Sequence, residues 1–96
     1  MSSAHILFMQ VQLHIPHAHS LKEKRKPVAG LRQRLQSKFN VSVAEIDYLD
    51  DWQQSLVGIC MISNDRRYLE SQSQAIEQLI MDVRDIELNQ IDREWL

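Results

Sequence analysis

From Ile6 to Ile15 apolar and polar positions alternate: Leu7, Met9, Val11, Leu13 and Ile15 share one face, and Ile6, Phe8, Gln10, Gln12 and His14 share the other. A period of two over this length predicts a β-strand, and Pro16, which cannot donate to a ladder, ends it. Ser20 and Glu23 then stand at capping-box spacing, and Leu21, Val28, Leu31, Leu35 and Phe39 follow at helical intervals, which predicts a helix over 21–39. Pro27 lies inside this helix and removes one backbone donor. The helix either kinks there or starts anew at Pro27, and Ser20, a better cap than Lys26, favours the kink. A second strand is expected over 41–48, opening on the β-branched Val41 and Val43. A loop over 49–52 leads to a third strand over 56–62, apolar enough to suit a central position covered on both faces. Asn64 or Asp65 caps a second helix carrying Leu69, Ile76, Leu79, Ile80 and Val83, and a last strand covers Ile86 to about Ile91, the chain running on toward Trp95.

With right-handed crossovers, the order β-α-β-β-α-β specifies an α+β ferredoxin-like plait, a four-stranded antiparallel sheet with both helices on one face. No linker, repeat or low-complexity stretch interrupts the chain, so one domain over 1–96 is expected. The sheet face turned away from the helices is unusually apolar: Ile6 and Phe8 come from the first strand, and the third is apolar on both faces, with Leu56, Cys60 and Ile62 on one and Val57, Ile59 and Met61 on the other. Such a surplus predicts a homodimer that covers this open face with a second copy.

The hydrophobic share of 44% and charged share of 25% exclude a disordered or fibrous chain. Gly30 and Gly58 are the only glycines, which leaves no glycine-rich phosphate loop, and the lone Cys60 excludes an internal disulfide or a multi-cysteine zinc site. No apolar run nears the ~18 residues of a membrane span, and the N-terminus lacks a basic secretion signal. A cytoplasmic protein is expected.

Charge changes the picture most. Residues 1–40 contain seven basic side chains and one acidic one, whereas residues 41–96 contain four basic and twelve acidic. All seven fall between Lys22 and Lys38, on the first helix. Cations at a helix start oppose its macrodipole and gain nothing for folding, so Lys22, Lys24, Arg25 and Lys26 are candidate contacts for nucleic-acid phosphates. The open sheet face offers only Phe8 as a stacking aromatic, which speaks against base readout there and against sequence readout of DNA.

The remaining clusters carry less. His14, His17 and His19 crowd one turn without a cysteine, and a polar histidine-rich loop is preferred to a metal site. Glu45 and Asp47, expected on one strand face, and the nearby Asp50 and Asp51 read as turn residues and partners for basic side chains. Cys60 reads as a small buried hydrophobe and Trp52 as a loop anchor. No catalytic residue, cofactor or metal ligand is assigned.

The blocks Ser20-Leu21-Lys22-Glu23-Lys24-Arg25 and Phe39-Asn40-Val41-Ser42-Val43-Ala44-Glu45 resemble the YlxP-like family of small bacterial proteins, a domain of unknown function. The likeness continues through Asp47, Asp50, Trp52-Gln53, Ser63-Asn64-Asp65 and Asp92-Arg93-Glu94. It implies the ferredoxin-like plait and, through genes that commonly neighbour the family, a role near transcription, ribosome assembly or translation. Pro27, His17 and His19 depart from the family's usual residues. The reading that results is a non-enzymatic accessory protein that meets rRNA or a ribosomal subunit through its basic helix start. The competing reading is a homodimeric structural or small-ligand-sensing module with no affinity for nucleic acid.

Overall fold

A computed structural model describes residues 3–96. The elements follow in the order β1 (His5–His14), α1 (Leu21–Lys38), β2 (Ser42–Asp47), β3 (Gln54–Ser63), α2 (Arg66–Met81) and β4 (Glu87–Trp95). The strands form one antiparallel sheet in the order β2-β3-β1-β4, which is the ferredoxin-like arrangement. The alternation of β1 does what its period dictates: Leu7, Met9, Val11 and Leu13 are buried beneath the helices, and their neighbours face the other way. From β3 come Val57, Ile59 and Met61, and the helices add Leu31, Leu35, Leu69, Ile76 and Ile80 to the same core.

Both helices start on side-chain caps. Ser20 Oγ accepts the Glu23 N–H at 3.1 Å, and an Asp65 carboxylate oxygen accepts the Tyr68 N–H at 3.3 Å. The reciprocal half of the first box is displaced by one residue, because Glu23 Oε2 accepts from the His19 N–H at 3.1 Å. α1 runs unbroken from this cap through Pro27, so a separate start at Pro27 does not occur. Tertiary burial of Leu31 and Leu35 outweighs the donor that proline forfeits.

The second half of the chain departs from expectation at β4 and at Trp52. β4 extends to Trp95, and the Leu96 N–H donates to the Ile6 carbonyl at 2.9 Å, so the chain end is tied to β1. Trp95 packs on the core side beneath Arg66, whose guanidinium lies 4.2 Å from its ring centroid. Trp52 is no anchor: it is exposed at the β2–β3 connection. That connection is held instead by Gln53, whose side-chain amide donates to the Pro16 and Ala18 carbonyls, and by Asp51, whose carboxylate accepts the Gln53 and Gln54 N–H groups.

Within one chain β3 is covered on one face. Its core side lies under the helices, but on the open side Ile62 is 57% exposed and Ile46 from β2 is 44% exposed. Gly58 is the buried exception there, since a Cβ at that position would lie 3.2 Å from both Phe8 and Ile46, which close over it. Across the sheet the rows run from apolar to acidic: Cys60 pairs with Phe8, and Phe8 with Glu94; Gly58 pairs with Gln10, and Gln10 with Asp92.

Candidate functional site

α1 carries the candidate cations, and its geometry divides them. At 100° per residue Lys24 has nearly the phase of Leu31 and Leu35, the two residues that α1 buries deepest. Lys24 is accordingly 2% exposed. Its Nζ donates to the Tyr48 carbonyl at 2.5 Å and lies 3.0 Å from Glu45 Oε2, which also accepts from Ser55 Oγ at 2.6 Å. A charge taken out of water needs such partners. Lys24 therefore presents no cation to a ligand, and its place among the phosphate contacts is corrected: it ties α1 to β2 and to the turn beyond. Tyr48, the residue it holds, has φ of 61°, a left-handed conformation that costs energy for a bulky side chain.

Lys22, Arg25 and Lys26 are exposed, as is Arg32 two turns on. With Lys24 turned inward, these four cover an arc of about 120° on the solvent side of α1. That is a tighter stripe than seven evenly spread charges would make. Arg34 and Lys38 are exposed further round the helix. None of these six is in an ion pair: among the described residues the pairs are His14–Glu87, Lys24–Glu45, Arg66–Glu70 and Arg93–Glu77. The acidic residues expected to offset them are elsewhere. Glu87, Asp92 and Glu94 line the β4 edge of the open face, and Asp50 and Asp51 sit at the β2–β3 connection. The arrangement can hold several phosphates on one helix and repels them on the open sheet face.

The other clusters come apart. A bulge between Glu45 and Asp47 leaves Glu45 opposite Val57 and sets Asp47 opposite Leu56, so the two carboxylates point to opposite faces of the sheet. Glu45 serves Lys24, and an Asp47 carboxylate oxygen accepts the Tyr48 N–H at 2.7 Å. His14 Nδ1 lies 3.3 Å from Glu87 on the open face, whereas His17 and His19 are exposed in the loop before α1. Among the described residues no three His, Cys, Asp or Glu side chains converge to hold a metal ion. Nor is any helix among them long and apolar enough to cross a membrane. Reading the sequence by type missed Ser55 and Tyr48 as partners of Lys24; only the register of the sheet brings them together.

Comparison with known proteins follows the same outline. The chain is 38% identical over 88 residues to the Uncharacterized protein YlxP of Bacillus subtilis (strain 168), covering 92% of this chain and 96% of that relative. The solved De novo designed protein Foldit4 superposes with a TM-score of 0.54 at 10% identity, covering 95% of this chain and 96% of the designed one, a likeness of fold alone. Residues 6–93 match the family described as Protein of unknown function (DUF503), and the chain belongs to that family.

Proposed function

We propose that the protein is a cytoplasmic, non-enzymatic accessory factor that contacts RNA, as rRNA or a ribosomal subunit, through Lys22, Arg25 and Lys26. The observation that carries this reading is the run of exposed α1 cations with no carboxylate partner, which begins where the helix dipole makes positive charge unfavourable. Glu23 is the acid of that first turn, and its carboxylate accepts the His19 N–H. Phosphates supply the missing negative charge, and the interaction is electrostatic and indifferent to base identity. Tagged protein in cell lysate is expected to co-sediment with one ribosomal subunit at low salt and to leave it at high salt. Changing Lys22, Arg25 and Lys26 together to alanine should move it to the top of the gradient at either salt. Recovery at the top for the parent protein at low salt would overturn the reading.

A second reading rests on a separate observation, the exposure of Ile62 and Ile46 beside the half-buried Phe8 and Leu56. A second copy laid on this apolar half would form a homodimer. The acidic β4 edges of the two copies would repel, so the apolar halves would meet with the β4 edges turned outward. Equilibrium sedimentation at tens of micromolar should then give twice the 11.3 kDa chain mass, and Ile62→Asp should return it to one.

A further inference from the structure

Bordering the cation stripe of α1 at Lys22 and Lys26, a cleft of about 940 Å³ opens between this helix and the turn that joins α2 to β4. Its volume is that of a small-molecule site. The half-buried Pro27, Gly30 and Val83 give it an apolar wall, backed by the core residues Ile15, Ala18 and Leu31, and Lys22, Lys26, Arg34 and Arg84 line it with positive charge. Two acids, Glu23 and Asp85, also border it, but the Glu23 carboxylate is engaged by the His19 N–H. Cations therefore outnumber anions at the site, and none of the four is in an ion pair among the described residues.

Gly30 gives a second, independent indication. Glycine inside a helix is less favourable than alanine, so its presence calls for a reason. Its φ is not positive, and a Cβ added there would meet no atom within 4 Å. Neither the backbone nor the packing of this chain needs a glycine at that position. What its lack of a side chain does is keep one wall of the cleft clear. Pro27, almost one turn earlier on the same wall, likewise gives up a helical hydrogen bond and presents a rigid apolar ring. The helix thus carries two unfavourable residues where they face the same space.

We propose that this cleft binds a small amphipathic anion, an aliphatic chain ending in a carboxylate or phosphate. The chain lies along Pro27, Gly30 and Val83, over the buried Ala18 and Leu31, and the head sits among Lys22, Lys26, Arg34 and Arg84. The lining contains no Phe, Tyr or Trp; His17 borders it, and Lys22 and Lys26 belong both to it and to the proposed RNA surface, so the two ligands would compete for those cations. The site needs no RNA and stands whether or not RNA binds.

The test is a titration of the full chain, followed by amide chemical shifts, with octanoate and with octyl phosphate. Octanol and inorganic phosphate serve as the headless and tailless controls. Saturable shifts centred on Ala18, Gly30 and Val83 are expected with at least one of the two amphiphiles, and which one responds identifies the head group. Octanol and inorganic phosphate should each bind about tenfold more weakly or worse. Gly30→Leu, a better helix former than the parent, should keep the fold and lose binding by about tenfold or more, while Gly30→Ala, which adds a single methyl to the same wall, should lose about two- to threefold. The proposal is overturned by an absence of saturable shifts with both amphiphiles, by octanol binding as well as they do, or by unchanged binding in a folded Gly30→Leu. RNA affinity without amphiphile binding would overturn this inference and leave the RNA reading standing.

Discussion

Lys24→Ala is expected to remove about 3 kcal/mol of stability, a drop of roughly 12–24 °C in the thermal midpoint for a domain of this size. The loss has separable parts. The Glu45 carboxylate, 24% exposed, keeps Ser55 as a donor but loses its ionic partner. The Tyr48 carbonyl retains the Asp51 N–H but loses the ammonium, and the strained φ of Tyr48 loses one of its restraints. The buried aliphatic stem leaves a void between α1 and β2. Lys24→Met retains the stem, so it should cost less than Lys24→Ala while still leaving the carboxylate without its cation. Adding Glu45→Leu to Lys24→Met should recover only part of the loss, because it removes the unpaired carboxylate but leaves the buried Ser55 hydroxyl without its acceptor. Arg25→Ala, one residue away on the solvent side, should stay within about 0.5 kcal/mol of the parent. Equal melting of Lys24→Ala and Arg25→Ala by calorimetry would contradict the buried pair.

Lys24 also shows where the sequence was legible and where it was not. Its position four residues before Val28, seven before Leu31 and eleven before Leu35 places it on the buried stripe, so periodicity alone marked it as inward. Grouping it with its basic neighbours by residue type concealed that signal. What no local pattern held was the partner, because Glu45, Tyr48 and Ser55 reach it through the hairpin and its register. The same limit explains the carboxylates: simple alternation puts Glu45 and Asp47 on one face, and a single bulge separates them. Patterns with a strong local cause read through correctly. The alternation of β1, the Ser20 and Asp65 caps and the crossover order each follow from short-range chemistry and chirality, and together they specify the plait. The cleft beside Gly30 was illegible for the opposite reason, since an opening is defined by atoms that are not there.

Binding of a single-stranded RNA to the parent protein should weaken about 20-fold between 50 and 200 mM salt if three phosphates are neutralised, because each contact to a single strand contributes ~0.7 to the logarithmic salt slope. Recruitment of Arg32 and Arg34 would steepen that dependence further, so the slope counts the cations in use. Replacing Lys22, Arg25 and Lys26 with alanine should flatten it toward zero, with the thermal midpoint little changed, since these side chains are exposed and unpaired. Lys24→Met, assayed well below its own midpoint, should leave both affinity and slope as they are in the parent. This last comparison separates a cation that touches the ligand from one that holds the helix. A contribution of Lys24 to the slope would mean that the ammonium leaves Glu45 when RNA binds, and an equal slope in the triple alanine variant would remove the α1 surface from the binding site.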